Sequence, residues 1–219
     1  MKMKAYVITI LNHERSIQVA KRCIRSAAKN GVEVDFWKAT TPADMPIDKL
    51  LTEGVKVAGL HETYSRIANC AAAFHSHYSL WKHCIELDEE VMILEHDAVF
   101  VNTLPDNIYF DKCISLGKPS YGKWNTPNSF GVNPLTSKRY FPGAHCYIVK
   151  PAAAKEFIKH ATEVIARPTD VFLNLESFPW LQEYYPWIVE ANDSFTTIQN
   201  ENGCYAKHNY GETYEIEEV

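Results

Sequence analysis

The sequence predicts an α/β domain with a mostly parallel central sheet, and three stretches carry that prediction. Residues 5–11 are apolar and β-branched, residues 16–30 have helical spacing, and residues 32–38 read as a strand again. A strand–helix–strand unit this short closes as a right-handed crossover between parallel strands. The second stretch is Val91-Met92-Ile93-Leu94, an apolar run too brief for a helical stripe, which reads as a strand buried on both faces. The third is residues 143–150, which alternate as a strand. Pro151 then stands where the first turn of a helix tolerates it, ahead of a helix over 152–166.

In chain order, the first helix shows Ile17, Ala20, Cys23, Ile24 and Ala27 on one side and stops at Gly31. Residues 12–15 are therefore the first strand-to-helix loop. Residues 40–60 turn to Thr, Pro, Asp and Gly and read as an irregular loop or lid. A helix over 65–87 follows, with Ile67, Ala71, Phe74, Tyr78, Trp81 and Ile85 as its apolar face; His77 shares that face, while His75 and His83 point to solvent. The strand at 90–94 comes next, and Asp97 opens a loop. Residues 102–133 mix Pro, Gly, Asn and Lys with aromatics and predict a short helix over 106–115. Residues 167–170 break the next helix. After Glu176 come the aromatics Phe178, Trp180, Tyr184, Tyr185 and Trp187, with a strand over 187–190. The division expected is a domain over 1–205 and a solvated acidic tail over 206–219, carrying Glu212, Glu215, Glu217 and Glu218.

Composition bounds the function. The 219 residues, 46% hydrophobic, suffice for one core. Acidic residues outnumber basic ones, 27 to 22, for a net charge of -5, which argues against a nucleic-acid surface. The apolar run after Met1-Lys2-Met3-Lys4 is too short for a signal or membrane span, so a cytoplasmic protein without a transmembrane segment is expected, peripheral membrane contact aside. Cys23, Cys70, Cys84, Cys113, Cys146 and Cys204 stand singly, without metal or redox spacing, as buried thiols do.

The chemistry concentrates where the strand at 90–94 ends. Glu95 and Asp97 emerge there, one residue apart, at the end of an α/β strand where ligands bind. Two readings stand: a solvated turn, or hard oxygen ligands for Mg²⁺ or Mn²⁺ carrying a phosphate. His145, beside Gly143, lies where a ligand can approach the backbone closely, or is a buried histidine bonded to backbone. Asp170, after the helix break, can cap the next helix. Arg15 offers a planar cation for phosphate, or a solvated helix start.

Four blocks in this order resemble glycosyltransferase family 25, the lipooligosaccharide-type galactosyltransferases and their collagen-modifying relatives. Residues 6–12 with Arg15 are similar to the family's opening "V-I-N-L" strand and arginine-bearing loop. Residues 74–81 resemble "S-H-x-x-L-W", and residues 93–100 resemble "I-L-E-D-D-A-x-F". Residues 143–149 and 168–173 resemble "G-T-H-A-Y-I" and "P-x-D-x-x-L". The chain departs by carrying His96 where the family has a second Asp, and Ala72-Ala73 where a Gly-Cys pair is common. It also lacks the acidic residue that often follows the opening asparagine or leucine.

The resemblance implies a single GT-A-like (Rossmann-like) domain that binds a nucleotide sugar. It implies a metal-dependent inverting transferase moving a hexose, galactose or glucose, from a UDP-sugar to a glycan hydroxyl, as in lipopolysaccharide biosynthesis. Its partners would be the donor and a glycan acceptor. Under it Glu95 and Asp97 hold Mn²⁺ or Mg²⁺, and Asp170 is the base, with Glu176 and Asp193 in reserve. Ile10, Asn12, Arg15 and Thr40 contact the nucleotide, His77 shapes the donor site, and His145 belongs to it, with a further metal ligand as its alternative role. Trp124 and the aromatics from Phe178 to Trp187 would suit an acceptor sugar or simply fill the core. Two rival functions are a non-catalytic nucleotide-sugar or glycan binder and a metal-dependent phosphoester hydrolase built on Glu95, His96 and Asp97.

Overall fold

A computed structural model describes residues 3–61, 65–192, 195–199 and 215–219. The elements are β1 (Lys4–Thr9), α1 (Glu14–Lys29), β2 (Asp35–Lys38), α2 (Pro46–Thr52), α3 (Ile67–Leu87), β3 (Val91–Glu95), β4 (Ala98–Phe100), β5 (Cys113–Ser115), β6 (Gly131–Pro134), β7 (Cys146–Val149), α4 (Pro151–Glu163), α5 (Thr169–Phe172), β8 (Gln182–Tyr185), β9 (Val189–Ala191), β10 (Phe195–Thr196) and β11 (Glu215–Ile216). Seven strands form the central sheet in the order β2-β1-β3-β7-β5-β8-β6.

The expectation of a mostly parallel sheet is corrected to a mixed one. β2, β1 and β3 run parallel, as the opening strand–helix–strand unit requires, but β7 lies antiparallel to both β3 and β5, and β6 is antiparallel to β8. The switch falls between β3 and β7, because a long non-helical excursion, rather than a crossover helix, joins them. The helix expected over 106–115 does not form; its last residues are β5. The supposed loop over 40–60 holds α2 and two 3₁₀ turns, Pro42–Asp44 and Val57–Leu60. Asp97 opens no loop but precedes β4, which pairs with β9.

β3 shows why its run of apolar residues is continuous. Val91 and Ile93 face the core shared with α3 and α4, whereas Met92 and Leu94 face the core under α1. All four are fully buried, which contributes roughly 6–12 kcal/mol gross at about 1.5–3 kcal/mol per side chain. α1 lies close on its face because Ser16, Ala20, Cys23 and Ala27, all small, line its buried side. Cys23, Cys70, Cys84, Cys113 and Cys146 are buried free thiols, and Cys204, Asp193 and Glu212 lie outside the described residues. Among the described residues no helix is long and apolar enough to cross a membrane.

Candidate donor site

The parallel half of the sheet brings the carboxyl ends of β1, β2 and β3 to one edge. Ile8 pairs with Glu95 in register and Thr9 with Lys38. α3 crosses above this edge. Ser76 Oγ accepts the Thr40 N–H at 2.9 Å and donates to Ala72 O, so β2's exit is tied to the helix. The pocket between them is lined by Ile8, Ile10, Thr40, Ala72, His77 and Glu95. The small Ala72-Ala73 pair leaves room where larger side chains would fill it. Asn69, on the same wall, has a buried Nδ2 with no hydrogen-bond partner, a donor available to a ligand.

Glu95 is gripped from α3. Its Oε1 lies 3.2 Å from His77 Nε2, and its backbone N–H donates to His145 O at 3.0 Å. Burial pushes His77 down to about 3, so the ring is neutral. Asp97 lies on the other side of the turn, buried over α1 near the Arg22 guanidinium and the neutral Cys23 thiol. Its Oδ1 is buried without a hydrogen-bond partner. Burial first, and the nearby Glu95 second, raise its carboxyl to about 7. A buried carboxyl oxygen without a partner and a second carboxylate acting on it are the donor types a hard divalent cation takes, although Glu95 lines the pocket and Asp97 does not. Among the described residues no group of three or more His, Cys, Asp or Glu could hold a metal. The remaining ligands would thus come from a phosphate and water, the usual arrangement for Mg²⁺.

His96, between the two carboxylates in sequence, is held by structure. Ser16 Oγ accepts the Ile10 N–H and lies 2.8 Å from His96 Nδ1, so the hydroxyl bridges the first loop and the β3 turn. The ring also packs on Phe195, and burial lowers it to about 4.

The other sequence-predicted residues fall at different distances from the pocket. Asn12 is exposed in the first turn, outside the pocket lining. Arg15 lies over the Phe195 ring, 4.5 Å from its centroid, and pairs with Glu215 at 2.8 Å and with Glu217. His13 caps α1 through Nδ1, which accepts the Ser16 N–H, leaving Nε2 to donate to Glu217 at 2.7 Å. Residues 215–219 thus lie against the first loop through Glu215 and Glu217, and Thr197, Ile198 and Val219 line the pocket. The His145 ring is enclosed between two glycines: a Cβ on Gly117 would meet Nε2 at 2.5 Å, and one on Gly143 would meet Nδ1 at 2.8 Å.

Asp170, in the first turn of α5, has Oδ1 on the Val171 N–H and accepts the Tyr121 hydroxyl proton at Oδ2. Burial raises its carboxyl; α5 packs on α3, with Phe172 edge-on to Phe74 at 5.3 Å, and Asp170 lies outside the pocket lining. Glu176 is exposed. Phe178 and Trp180 pack on Phe157 as core, whereas Tyr185 stacks on exposed Phe130 and abuts Trp187 at the sheet's far edge. Tyr121, Ser16 and Asn69 join these networks without any signal in the sequence, since a lone hydroxyl or amide does not announce its partner, whereas Tyr147 stands in the block that resembles "G-T-H-A-Y-I".

The family model for glycosyltransferase family 25 (LPS biosynthesis protein) matches residues 3–130, which span every strand of the parallel half and the Glu95–Asp97 turn. No curated protein matches the chain. Among solved structures, the crystal structure of A197 from STIV is similar at a TM-score of 0.43 and 10% identity, over 95% of this chain and 100% of that one.

Proposed function

The chain belongs to glycosyltransferase family 25, and from that premise we propose that it transfers galactose or glucose from a uridine diphosphate sugar to a glycan hydroxyl, with metal dependence and inversion at the anomeric carbon. The observation that carries the reading is the Glu95–Asp97 pair at the carboxyl end of β3, with its orphaned Asp97 Oδ1. Mn²⁺ or Mg²⁺ held by these carboxylates would neutralise charge on the departing diphosphate.

The chain's own residues do the rest. Ile8 and Ile10 form an apolar floor for the nucleoside, and Thr40 and Asn69 offer polar contacts above it. Arg15, once clear of the tail, supplies a planar cation for phosphate. Asp170 takes the proton from the acceptor hydroxyl as its oxygen attacks C1 and the bond from C1 to the diphosphate oxygen breaks. A carboxyl raised by burial is a better base near neutral pH than a solvated one. Asp170→Asn is expected to lower kcat by about 10²–10⁴-fold while leaving donor affinity unchanged; a parallel loss of folding would mean that it serves α5 instead.

A thermal-shift series tests the donor site. The melting temperature should rise only when a uridine sugar and Mn²⁺ are both present, and Asp97→Asn should lose that rise. A rise that ignores the metal, or none with any uridine sugar, refutes this reading.

A further inference from the structure

Three fully buried side chains stand behind Glu95. Trp81 and His77 are one turn apart on α3 and therefore share a face, and Tyr147 on β7 lies opposite Ile93, on the same side of the sheet. Trp81 Nε1 donates to the Tyr147 hydroxyl at 2.9 Å. The same hydroxyl is 3.0 Å from His77 Nδ1, and the His77 and Tyr147 rings stack.

An indole N–H can only donate, which fixes the first bond, and the Glu95 carboxylate, which can only accept when ionised, fixes the last. Tyr147 Oη is therefore an acceptor toward Trp81, and its single proton is left for His77 Nδ1. A neutral imidazole that accepts at Nδ1 carries its proton at Nε2, and Nε2 faces Glu95 Oε1 at 3.2 Å. The opposite tautomer would present a bare Nε2 lone pair to the carboxylate. It would also take away His77 Nδ1 as the acceptor of the Tyr147 hydroxyl proton.

We propose that Trp81 and Tyr147 are positioning residues for the donor site, holding His77 in the one tautomer that hydrogen-bonds Glu95 and aims its carboxylate. This rests on the reading of Glu95 as a donor-site carboxylate. Partners of this kind, behind a ligating group, change metal affinity by about 10–100-fold when removed.

Tyr147→Phe keeps the ring and deletes the hydroxyl. Two-bond ¹⁵N–¹H correlation spectra, with His77 assigned through His77→Gln, should show Nε2 protonated and Nδ1 bare in the unaltered protein. In Tyr147→Phe the other tautomer should become populated. Mn²⁺ affinity in the presence of UDP, measured calorimetrically, should fall about tenfold or more. In a His77→Gln background, where an amide N–H can reach Glu95 whatever Tyr147 does, adding Tyr147→Phe should change Mn²⁺ affinity less than twofold. A protonated Nδ1 in the unaltered protein overturns the proposal, as do additive effects in the double variant. Where Tyr147→Phe does not fold, the spectrum of the unaltered protein still decides the tautomer. Glu95→Gln separates the two ideas. If it leaves Mn²⁺ and UDP binding intact, the donor-site reading fails and takes this positioning role with it; if it weakens binding while Tyr147→Phe does not, only the relay fails.

Discussion

Asp97 sets a pH dependence that can be read without any substrate. In the metal-free protein its carboxyl is raised by burial and by Glu95 to about 7, so the folded state keeps a proton that the unfolded chain, near the ordinary 3.8, has lost. Folded protein then binds more protons between about pH 4 and 7, and stability falls as pH rises through that window. Asp97→Asn removes the buried charge at nearly constant volume. Its metal-free melting temperature should exceed that of the parent at pH 8, and the gap should close toward pH 4; equal curves at pH 8 would show the carboxylate to be well solvated. His77 and His96, both lowered by burial, push the parent's stability the other way below about pH 6.5, so only the difference between variant and parent isolates Asp97. At this scale the sequence reveals side chains whose chemistry is rare at a strand end, such as Glu95. It shows Tyr147 within a block that resembles the family but hides its partner, because a tyrosine in an apolar strand reads the same whether its hydroxyl meets a histidine or merely fills space.

Among the elements, the turn that enters β7 carries an unusual constraint. Gly143 has φ +100° and Ala144 φ +47°, so the chain reverses through left-handed backbone just before the strand that borders β3. A side chain at Gly143 would also bring its Cβ to 2.4 Å from Ser120 Oγ. Gly143→Ala should therefore cost about 1–3 kcal/mol in urea unfolding, and the loss should be accompanied by displaced His145 resonances. A cost below about 0.5 kcal/mol would mean the turn relaxes freely. The strands at 4–9 and 91–95 were legible because their burial imposes a residue pattern that does not depend on partners. The antiparallel placement of β7 was not, since strand direction within a sheet is decided by the route of a connection of mixed composition. Residues 106–115 fail as a helix for a related reason: Lys112 and Lys150 tie that segment to β7 and α4 through Glu156, Phe110 and a backbone bond, contacts that no local propensity encodes.

Over the whole molecule, the tail joins the chain's last described residues to its first loop. Glu217 meets Arg15 and His13, and its carbonyl accepts from Arg66 at 2.6 Å. Acidity was visible in the sequence, but the cations that receive it lie some two hundred positions earlier, beyond the reach of any local pattern. Partly exposed ion pairs of this kind are worth roughly 0–1 kcal/mol, and salt screens them. Glu217→Gln should thus leave the melting temperature almost unchanged while tightening donor binding about two- to fivefold, the equivalent of such a pair. An unaltered donor Kd would show that Arg15 is not needed by the donor. If Arg15 serves the donor as proposed, the carboxylates that compete for it belong to the same chain, and diluting the protein cannot release them. Any affinity measured on the intact chain is then the intrinsic affinity divided by one plus the tail's closing constant, so saturation curves stay hyperbolic and the self-competition is invisible in their shape.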